Sequence, residues 1–188
     1  MELNPPRLVL LERLTALLQT TAADAGMVSE RDRDRILERH VVDCLRAATV
    51  VRPEDREALD LGSGAGLPGV VVAIAVPGLH ITLVESRRRR VAFLEQVVEV
   101  LELPNVSTAH TRIQDLRVQV DLCFARALAP LGRTWHLAAP LLRSGGRLVY
   151  FAGEGSAVEL EAGDVATVSL LRSPVLESSG PLVIMSRQ

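Results

Sequence analysis

The sequence predicts an α/β fold in which helices cover both faces of a mostly parallel β-sheet. Between residues 57 and 152, short β-rich runs alternate with longer runs of helical periodicity. Breakers separate these runs at Pro77-Gly78, Pro104-Asn105 and Gly145-Gly146. A glycine-rich turn, GSGAGLPG, follows the first β-rich run. In a parallel sheet, a turn at this place connects the first strand to the helix that follows it.

Two helices are predicted ahead of the sheet, over residues 5–23 and 29–51. Apolar side chains recur at helical spacing in both segments, so each helix has one face that can be buried. They are Leu8, Leu11, Leu14, Leu17 and Leu18 in the first helix, and Ile36, Leu37, Val41, Cys44 and Leu45 in the second. We expect residues 1–52 to form a helical extension packed on a core domain of residues 53–188.

The core domain is predicted to contain strands that alternate with helices. The strands cover residues 57–61, 80–85, 106–110, 120–125 and 147–152. The helices begin at Pro68, cover residues 87–103 and lie near residues 131–142. Two later β-rich runs, VATVSLLRS and PLVIMSRQ, flank SSGP and leave no helix long enough for a parallel crossover. They therefore predict a closing antiparallel pair.

Composition and charge exclude several classes of protein. The chain is 48% apolar and 23% charged, as globular proteins are, and no apolar run is long enough to cross a bilayer. The first residues lack the features of a secretory signal, so we expect a cytoplasmic location. Cys44 and Cys123 lie far apart without CxxC spacing, and we expect buried thiols, with no metal site and no disulfide. Because the net charge is −2, any contact with RNA requires a local basic patch.

The glycine-rich turn predicts a ligand site at the carboxyl ends of the strands. Gly62, Gly64 and Gly66 occupy alternate positions, where side chains would block a flat ligand and where the backbone can require positive φ. Pro68 suits the first turn of the following helix. The spacing GxGxG followed by LPG departs from the GxGxxG fingerprint of dinucleotide-binding proteins.

Two carboxylates indicate which ligand this turn takes. Asp60 directly precedes the turn, where a negative charge would repel a pyrophosphate but would suit an amine or a sulfonium, directly or through water. Glu85 ends the second predicted strand, where its two oxygens can accept both hydroxyls of a ribose. Together with the bare glycines, these acids favour S-adenosylmethionine over NAD as the cofactor.

Four segments carry a resemblance to a known family: ERHVVDCL, DLGSGAGLPG, VESRRRRVAFLEQV and ARALAPL. In this order, from about Gly26 to Gly153, the chain resembles the RsmG (GidB) family, bacterial methyltransferases that modify N7 of a guanine in 16S ribosomal RNA. The resemblance implies a class I, Rossmann-like, S-adenosylmethionine-dependent methyltransferase fold with N-terminal helices. Its sheet has seven strands, mostly parallel, with the last strand antiparallel.

The resemblance also implies which residues bind. Cofactor contacts are implied at Gly62, Leu67, Glu85, Ser86, Arg87, Ile113, Gln114 and Arg126. The pattern of the turn itself adds Asp60 and Gly64. Arg39 and His40 match the arginine–histidine pair of the family's N-terminal helix and, with Arg126, are expected to bind the substrate. Arg126 could instead be a structural ion-pair partner, and the run Arg87 to Arg90 either binds phosphate or is a solvated helix turn.

The chain departs from the family pattern on the substrate side. Gly26-Met27-Val28 stands where the family often has asparagine, leucine and threonine, and Phe151-Ala152-Gly153 stands where many members have a lysine before the glycine. Both changes remove polar groups, so the methyl acceptor stays open between 16S ribosomal RNA in the small subunit and a small molecule. A degenerate cofactor-binding module without turnover and an NAD-dependent dehydrogenase are the remaining alternatives.

Guanine N7 carries an in-plane lone pair and no proton. Attack on a sulfonium methyl group therefore needs no general base, and the sequence identifies no catalytic residue. The enzyme has to align nitrogen, carbon and sulfur, and such alignment can be worth up to about 7–11 kcal/mol.

Overall fold

A computed structural model describes residues 3–153, 165–171 and 180–188 of the chain. Its seven strands are β1 Glu57–Leu61, β2 His80–Glu85, β3 Val106–His110, β4 Val120–Arg126, β5 Leu142–Phe151, β6 Val165–Leu171 and β7 Leu182–Arg187. Its α-helices are α1 Pro5–Leu17, α2 Val42–Ala48, α3 Gly69–Ala75, α4 Arg88–Leu101 and α5 Leu131–Ala138.

Tighter and wider helical turns extend these helices. A π-helical turn, Leu18–Ala22, continues α1, and a 3₁₀ turn, Glu30–Arg35, and a π-helical turn, Leu37–Val41, lead into α2. Two further 3₁₀ turns are Ile113–Asp115, after β3, and Ala139–Leu141, after α5. The helices predicted over residues 5–23 and 29–51 are therefore confirmed as helical segments, although the second is α-helical only over its last part.

The strands form one sheet in the order β3-β2-β1-β4-β5-β7-β6. The first five strands pair in parallel, and β7 is antiparallel to both β5 and β6. This arrangement confirms the predicted mostly parallel sheet of seven strands with its last strand antiparallel. The last two residues of the run VATVSLLRS and the two serines of SSGP lie outside the described residues, whereas the run PLVIMSRQ lies within them.

The prediction of β5 was wrong at its start. Gly145-Gly146 was expected to break the chain, yet the strand begins earlier, at Leu142, and runs through both glycines. Gly145 has φ +75°, and the pairing with β4 shifts register between Val120 and Leu122. The two glycines therefore accommodate an irregularity inside the strand.

The central strands of the sheet are buried on both faces, as a parallel sheet requires. On one face, α1 to α4 contribute a cluster whose fully buried side chains include Leu14, Leu18, Ile74 and Leu94. On the other face, α5 packs the buried side chains of Trp135 and Ala138 against the sheet. Within the described ranges, no helix has the length and apolarity that crossing a membrane requires.

The residues before β1 share their burial with the sheet. Leu14, Leu18 and Ile36 have no exposed surface and belong to the same cluster as α3, whereas Leu8 is 46% exposed. An almost fully buried ion pair joins Arg147 of β5 to Asp55, with 2.5 Å between Nη2 and Oδ2. Arg147 also donates to the carbonyl of Val50. These contacts fix the segment ahead of β1 to the middle of the sheet.

Candidate functional site

The glycine turn lies between β1 and α3, at the carboxyl edge of the sheet. The amides of Gly62 and Ser63 both donate to the carbonyl of Val84 at the end of β2, at 2.9 and 3.0 Å, and this fixes the turn to the neighbouring strand. Gly62 and Gly66 have φ of +71° and +86°. A Cβ at Gly62 would lie 2.7 Å from Leu128 Cδ1, and one at Gly66 would lie 2.8 Å from Val70 Cγ2. Both positions therefore favour glycine for backbone angle, and a Cβ would also require the side chains of Leu128 and Val70 to shift.

Asp60 lies beneath this turn. Its side chain was expected to face the ligand, but it does not border the ligand space. Its side chain is 1% exposed and lines neither of the two cavities described below. Oδ2 accepts a hydrogen bond from the amide of Gly69, at 3.1 Å, at the first residue of α3. Burial raises the pKa of Asp60 to about 7, against the opposing effect of that amide. The carboxyl group therefore organises the start of α3, a role that the sequence did not indicate.

Glu85 joins the glycine turn to the segment that follows β2. Its Oε1 accepts from the amides of Ser86 and Arg87, at 2.8 and 2.9 Å, and its Oε2 accepts from the amide of Gly64, at 3.3 Å. Arg90 Nη1 lies 3.5 Å from Oε2. The carboxylate is 5% exposed, yet it borders a cavity. Glu85 thus presents a negative charge, fixed by three amides, beside the space where a ligand can lie.

The first cavity has a volume of about 530 Å³ and lies beyond the ends of β1, β2 and β4. Six predicted cofactor residues line it: Gly62, Glu85, Ser86, Arg87, Ile113 and Gln114. Ile113, Leu128 and Leu137 supply apolar surface to the cavity that the carboxylate of Glu85 borders. Because a nucleoside combines a flat apolar base with two vicinal hydroxyls, these residues suit its two halves.

The second cavity, of about 340 Å³, lies against the other side of the glycine turn. It contains five of the predicted residues, Gly62, Gly64, Leu67, His40 and Arg126. Gly64 and Leu67, which were expected to contact the cofactor, line this second cavity and not the first. Met27 and Val28 also line it, so the place of the first departure from the family pattern faces this space. Gly62, Arg90 and Ala127 border both cavities, which therefore meet at the turn.

Arg126, at the end of β4, joins the sheet to the helical segment around α2. Its Nη2 lies 2.7 Å from His40 Nδ1, and its Nη1 lies 3.6 Å from Cys44 Sγ. Asp43 Oδ2 lies 3.7 Å from Nη2, and the ring centre of Phe151 lies 5.9 Å from the guanidinium carbon. Because an arginine only donates, Nδ1 of His40 accepts in this contact, so the imidazole is neutral with its proton on Nε2.

Asp43 is a residue that the sequence did not single out. Its carboxylate is 7% exposed and lies between two arginines, with Oδ1 3.0 Å from Arg46 Nε and Oδ2 near Arg126. Arg46 in turn donates to the carbonyl of Gly180, just ahead of β7. An aspartate on a predicted helix is usually exposed to solvent, so only the assembled fold reveals that Asp43 lies between two arginines.

Ala127 was also missed, and no sequence signal could have identified it. Its φ is +51°, in the left-handed region that residues with a Cβ seldom adopt. Strained residues of this kind cluster at functional sites, and Ala127 lies where the two cavities meet. Arg39, by contrast, was predicted: it lies in the turn Leu37–Val41, and its side chain lies outside the described residues.

Both cysteines are free and buried, as expected. Burial raises the pKa of Cys44 to about 12, and it raises the pKa of the Cys123 thiol as well, so neither is a thiolate near neutral pH. Among the residues that the structure describes, no group of three or more His, Cys, Asp or Glu side chains could hold a metal ion.

Solved structures share this fold at low sequence identity. A putative S-adenosyl-L-methionine-dependent methyltransferase from Methanococcus maripaludis matches with a TM-score of 0.63 and 11% identity, over 95% of this chain and 92% of that one. MtNAS, in complex with S-adenosylmethionine, matches with a TM-score of 0.62 and 15% identity, over 95% and 72%. The chain therefore has the class I methyltransferase fold.

Curated relatives are much more similar in sequence. The ribosomal RNA small subunit methyltransferase G of Thermobifida fusca is 40% identical over 162 residues, which are 85% of this chain and 68% of that protein. The protein of the same name from Acidothermus cellulolyticus is 36% identical over 168 residues, 89% of this chain and 75% of that one. That from Frankia alni is 39% identical over 166 residues, and this chain spans 63% of its length.

A family model described as "GidB: rRNA small subunit methyltransferase G" matches residues 7–176. This range includes the helical segments ahead of β1, the glycine turn, both cavities and Arg126. Because the model and the relatives cover most of the sequence, the chain belongs to the GidB family of small-subunit ribosomal RNA methyltransferases.

Proposed function

We propose that this chain, as an S-adenosylmethionine-dependent methyltransferase of the GidB family, methylates N7 of a guanine in 16S ribosomal RNA of the small ribosomal subunit. The observation that carries the proposal is the meeting of two cavities at the glycine turn, where Gly62, Arg90 and Ala127 border both. A two-substrate transfer needs two such spaces, one for the donor and one for the acceptor, with a common boundary. A cytoplasmic location follows from this substrate.

The donor fits the first cavity. S-adenosylmethionine supplies an electrophilic methyl group, and Glu85 offers its carboxylate to the ribose hydroxyls. Ile113 and Gln114 offer apolar contact and hydrogen bonding to the adenine, and Ser86 and Arg87 border the same space. Gly64 borders the second cavity, and a Cβ there would meet nothing nearer than 3.8 Å, so open space adjoins the turn where the two cavities meet.

The acceptor base fits the second cavity. His40, with a proton on Nε2, and the Arg126 guanidinium supply donors there, while Met27 and Leu67 supply apolar contact for a flat ring. These residues align the acceptor nitrogen, and none of them has to remove a proton from N7. Arg39 is included in this substrate site by its place beside His40 in the turn Leu37–Val41.

Residues 1–52 complete the acceptor side. Met27, Val28 and His40 come from this segment, whereas the donor side is built from residues 62–137. We therefore treat residues 1–52 as an extension that adds substrate contacts to the methyltransferase domain, residues 53–188. The shared core of Leu14, Leu18 and α3 supports a single structural unit.

A small-molecule acceptor is the second candidate, and Met27 and Val28 favour it. These two residues put apolar surface in the second cavity where the family often has polar residues. A small apolar nucleophile would use the same alignment without contacts outside the cavity.

The deciding experiment offers the enzyme radiolabelled S-adenosylmethionine with 30S subunits from a strain that lacks the endogenous methylation. We expect label in 16S RNA and none in a metabolite pool. Label in the pool alone would replace the first candidate by the second. Cofactor binding without transfer to either would identify a binding module without turnover.

A further inference from the structure

Five exposed arginines surround one side of the first cavity. Arg87, Arg112 and Arg133 line it, and Arg88 and Arg89 follow Arg87 in the first turn of α4. We call these five residues the arginine rim. They come from three separate segments of the chain, after β2, after β3 and in α5, and the fold brings them to the same edge of the sheet.

The arginine rim differs in its partners from most of the other arginines in the described ranges. Within the described part of the chain, none of its five guanidinium groups makes an ion pair or a side-chain hydrogen bond. Elsewhere, Arg46, Arg143 and Arg147 each pair with a carboxylate. Arg90, immediately after the rim residues of α4, pairs with Glu85. The cations of the rim are therefore available to a partner outside the chain.

The proposed cofactor accounts for Arg87 at most, which is an implied cofactor contact, and leaves the other four cations unexplained. S-adenosylmethionine has a sulfonium, an ammonium and one carboxylate, so it carries a net positive charge and no phosphate. Arginines at the start of α4 also meet the positive end of the helix dipole. Exposed like charges around a cationic ligand are unfavourable by Coulomb's law, so they indicate an anionic partner that lies over the same edge.

We propose that the arginine rim binds the phosphodiester backbone of the RNA substrate, beside the first cavity, while the reacting base occupies the second. This inference rests on the proposed function, which supplies the RNA. Guanidinium groups match phosphate oxygens in pairs, and an extended polyanion can engage several of them at once. Because the protein carries a net charge of −2, its attraction to RNA is concentrated at this rim.

Salt-dependent binding tests the proposal. Equilibrium binding of the full chain to 30S subunits that lack the methylation is measured between about 50 and 200 mM KCl, the range over which phosphate contacts dominate the salt dependence. The rim variant is Arg88→Gln with Arg89→Gln, because neither residue lines either of the two cavities described above. The control is Arg52→Gln with Arg56→Gln, which removes the same charge from exposed residues just ahead of β1, at the opposite edge of the sheet.

We expect the rim variant to lower the slope of log K against log salt by about 0.7–0.9 for each phosphate that the protein no longer neutralises, with the control unchanged. Affinity for S-adenosylhomocysteine, measured by calorimetry, should be the same in both variants. An unchanged slope in the rim variant, or an equal reduction in the control, overturns the proposal. Rim-dependent binding by a wild-type protein that transfers no methyl group would support the rim and count against the proposed function alone.

Discussion

Glu85 is the residue on which the cofactor side depends most directly, because three amides of two different segments donate to its carboxylate. A Glu85→Gln variant replaces one acceptor oxygen by a donor and removes the charge. We expect the affinity for S-adenosylhomocysteine to fall by about 10- to 100-fold, since hydrogen bonds to charged groups contribute about 1.5–3 kcal/mol. Calorimetry measures this, with Glu95→Gln on the exposed face of α4 as the control. Equal affinities in the two variants would contradict the assignment of Glu85.

Asp43 lies between Arg46 and Arg126, so it should affect the acceptor side through Arg126. We expect Asp43→Asn to raise KM for 30S subunits with little change in affinity for S-adenosylhomocysteine. Removing one partner of a buried pair also destabilises, by up to about 3–5 kcal/mol.

The control for that decrease in stability is Asp55→Asn, which breaks the buried pair with Arg147 away from both cavities. Denaturant unfolding and steady-state kinetics are measured on both variants. A matching rise of KM in Asp55→Asn would show that the effect comes from instability, and Arg126 would then not depend on Asp43.

The raised pKa of Asp60 leads us to expect that the free energy of unfolding depends on pH. Its pKa is raised by burial to about 7 in the folded protein, from an ordinary value of 3.8. Between these values the folded state binds more protons than the unfolded state, so the contribution of this group falls as pH rises from about 4 to about 7. The slope is at most about 1.4 kcal/mol per pH unit.

An Asp60→Asn variant lacks this titration but keeps an oxygen that can accept from the Gly69 amide. We therefore expect the stability of the wild type relative to this variant to decrease over that pH range and to level off above it. Urea unfolding at several pH values measures the difference. A difference that stays constant from about pH 4 to about pH 7 would mean that the folded-state pKa of Asp60 is not raised.

At the scale of elements, the β1–α3 unit depends on close approach at Gly69. A Cβ there would lie 2.6 Å from both Asp60 Oδ2 and Leu83 Cδ2. We expect Gly69→Ala to destabilise the protein by about 1–3 kcal/mol through overpacking. Gly132→Ala in α5 is the matched control: its Cβ would meet nothing within 4 Å, and alanine should stabilise that helix by about 0.4–1 kcal/mol. Denaturant unfolding decides whether the two changes differ in sign.

The elements themselves were predictable because local periodicity determines them. The predicted bounds of β1, β2 and β3 agree with the observed strands, since each is a short apolar run between breakers. The predicted start of β5 was wrong because Gly145-Gly146 resembles a turn in the sequence. Only the pairing with β4 shows that the strand continues through these glycines. Long-range pairing of this kind leaves no local sequence signal.

For the candidate site, the sequence predicted the location of the backbone turn better than the orientation of the side chains around it. Glycine spacing identified the turn, and strand ends identified Glu85. Whether Asp60 faces a ligand or the start of α3 depends on how the strand meets the helix, which spacing does not reveal. The contact between Arg126 and His40 joins residues 86 apart in sequence, so family resemblance rather than local pattern brought them together.

For the whole molecule, cofactor binding should raise thermal stability, because a ligand that binds only the folded state stabilises it. At about 100 times its dissociation constant, S-adenosylhomocysteine adds about 2.7 kcal/mol. This corresponds to a rise in Tm of about 5–10 °C for a chain of this size. Thermal unfolding with S-adenosylhomocysteine and with NAD measures it, and NAD should leave Tm unchanged. A shift with NAD alone would favour a dehydrogenase.

The order of the strands has a consequence for synthesis on the ribosome. β7 follows β6 in the sequence but lies inside it, between β5 and β6. A nascent chain that has emerged only as far as residue 171 therefore leaves the edge of β5 without its neighbour, and β6 without the strand it pairs with. At this edge, the strands therefore cannot join the sheet in the order in which they are synthesised. β7 can insert between β5 and β6 only after residues 182–187 have left the exit tunnel. Until then, the unpaired edge of β5 can pair with other strands.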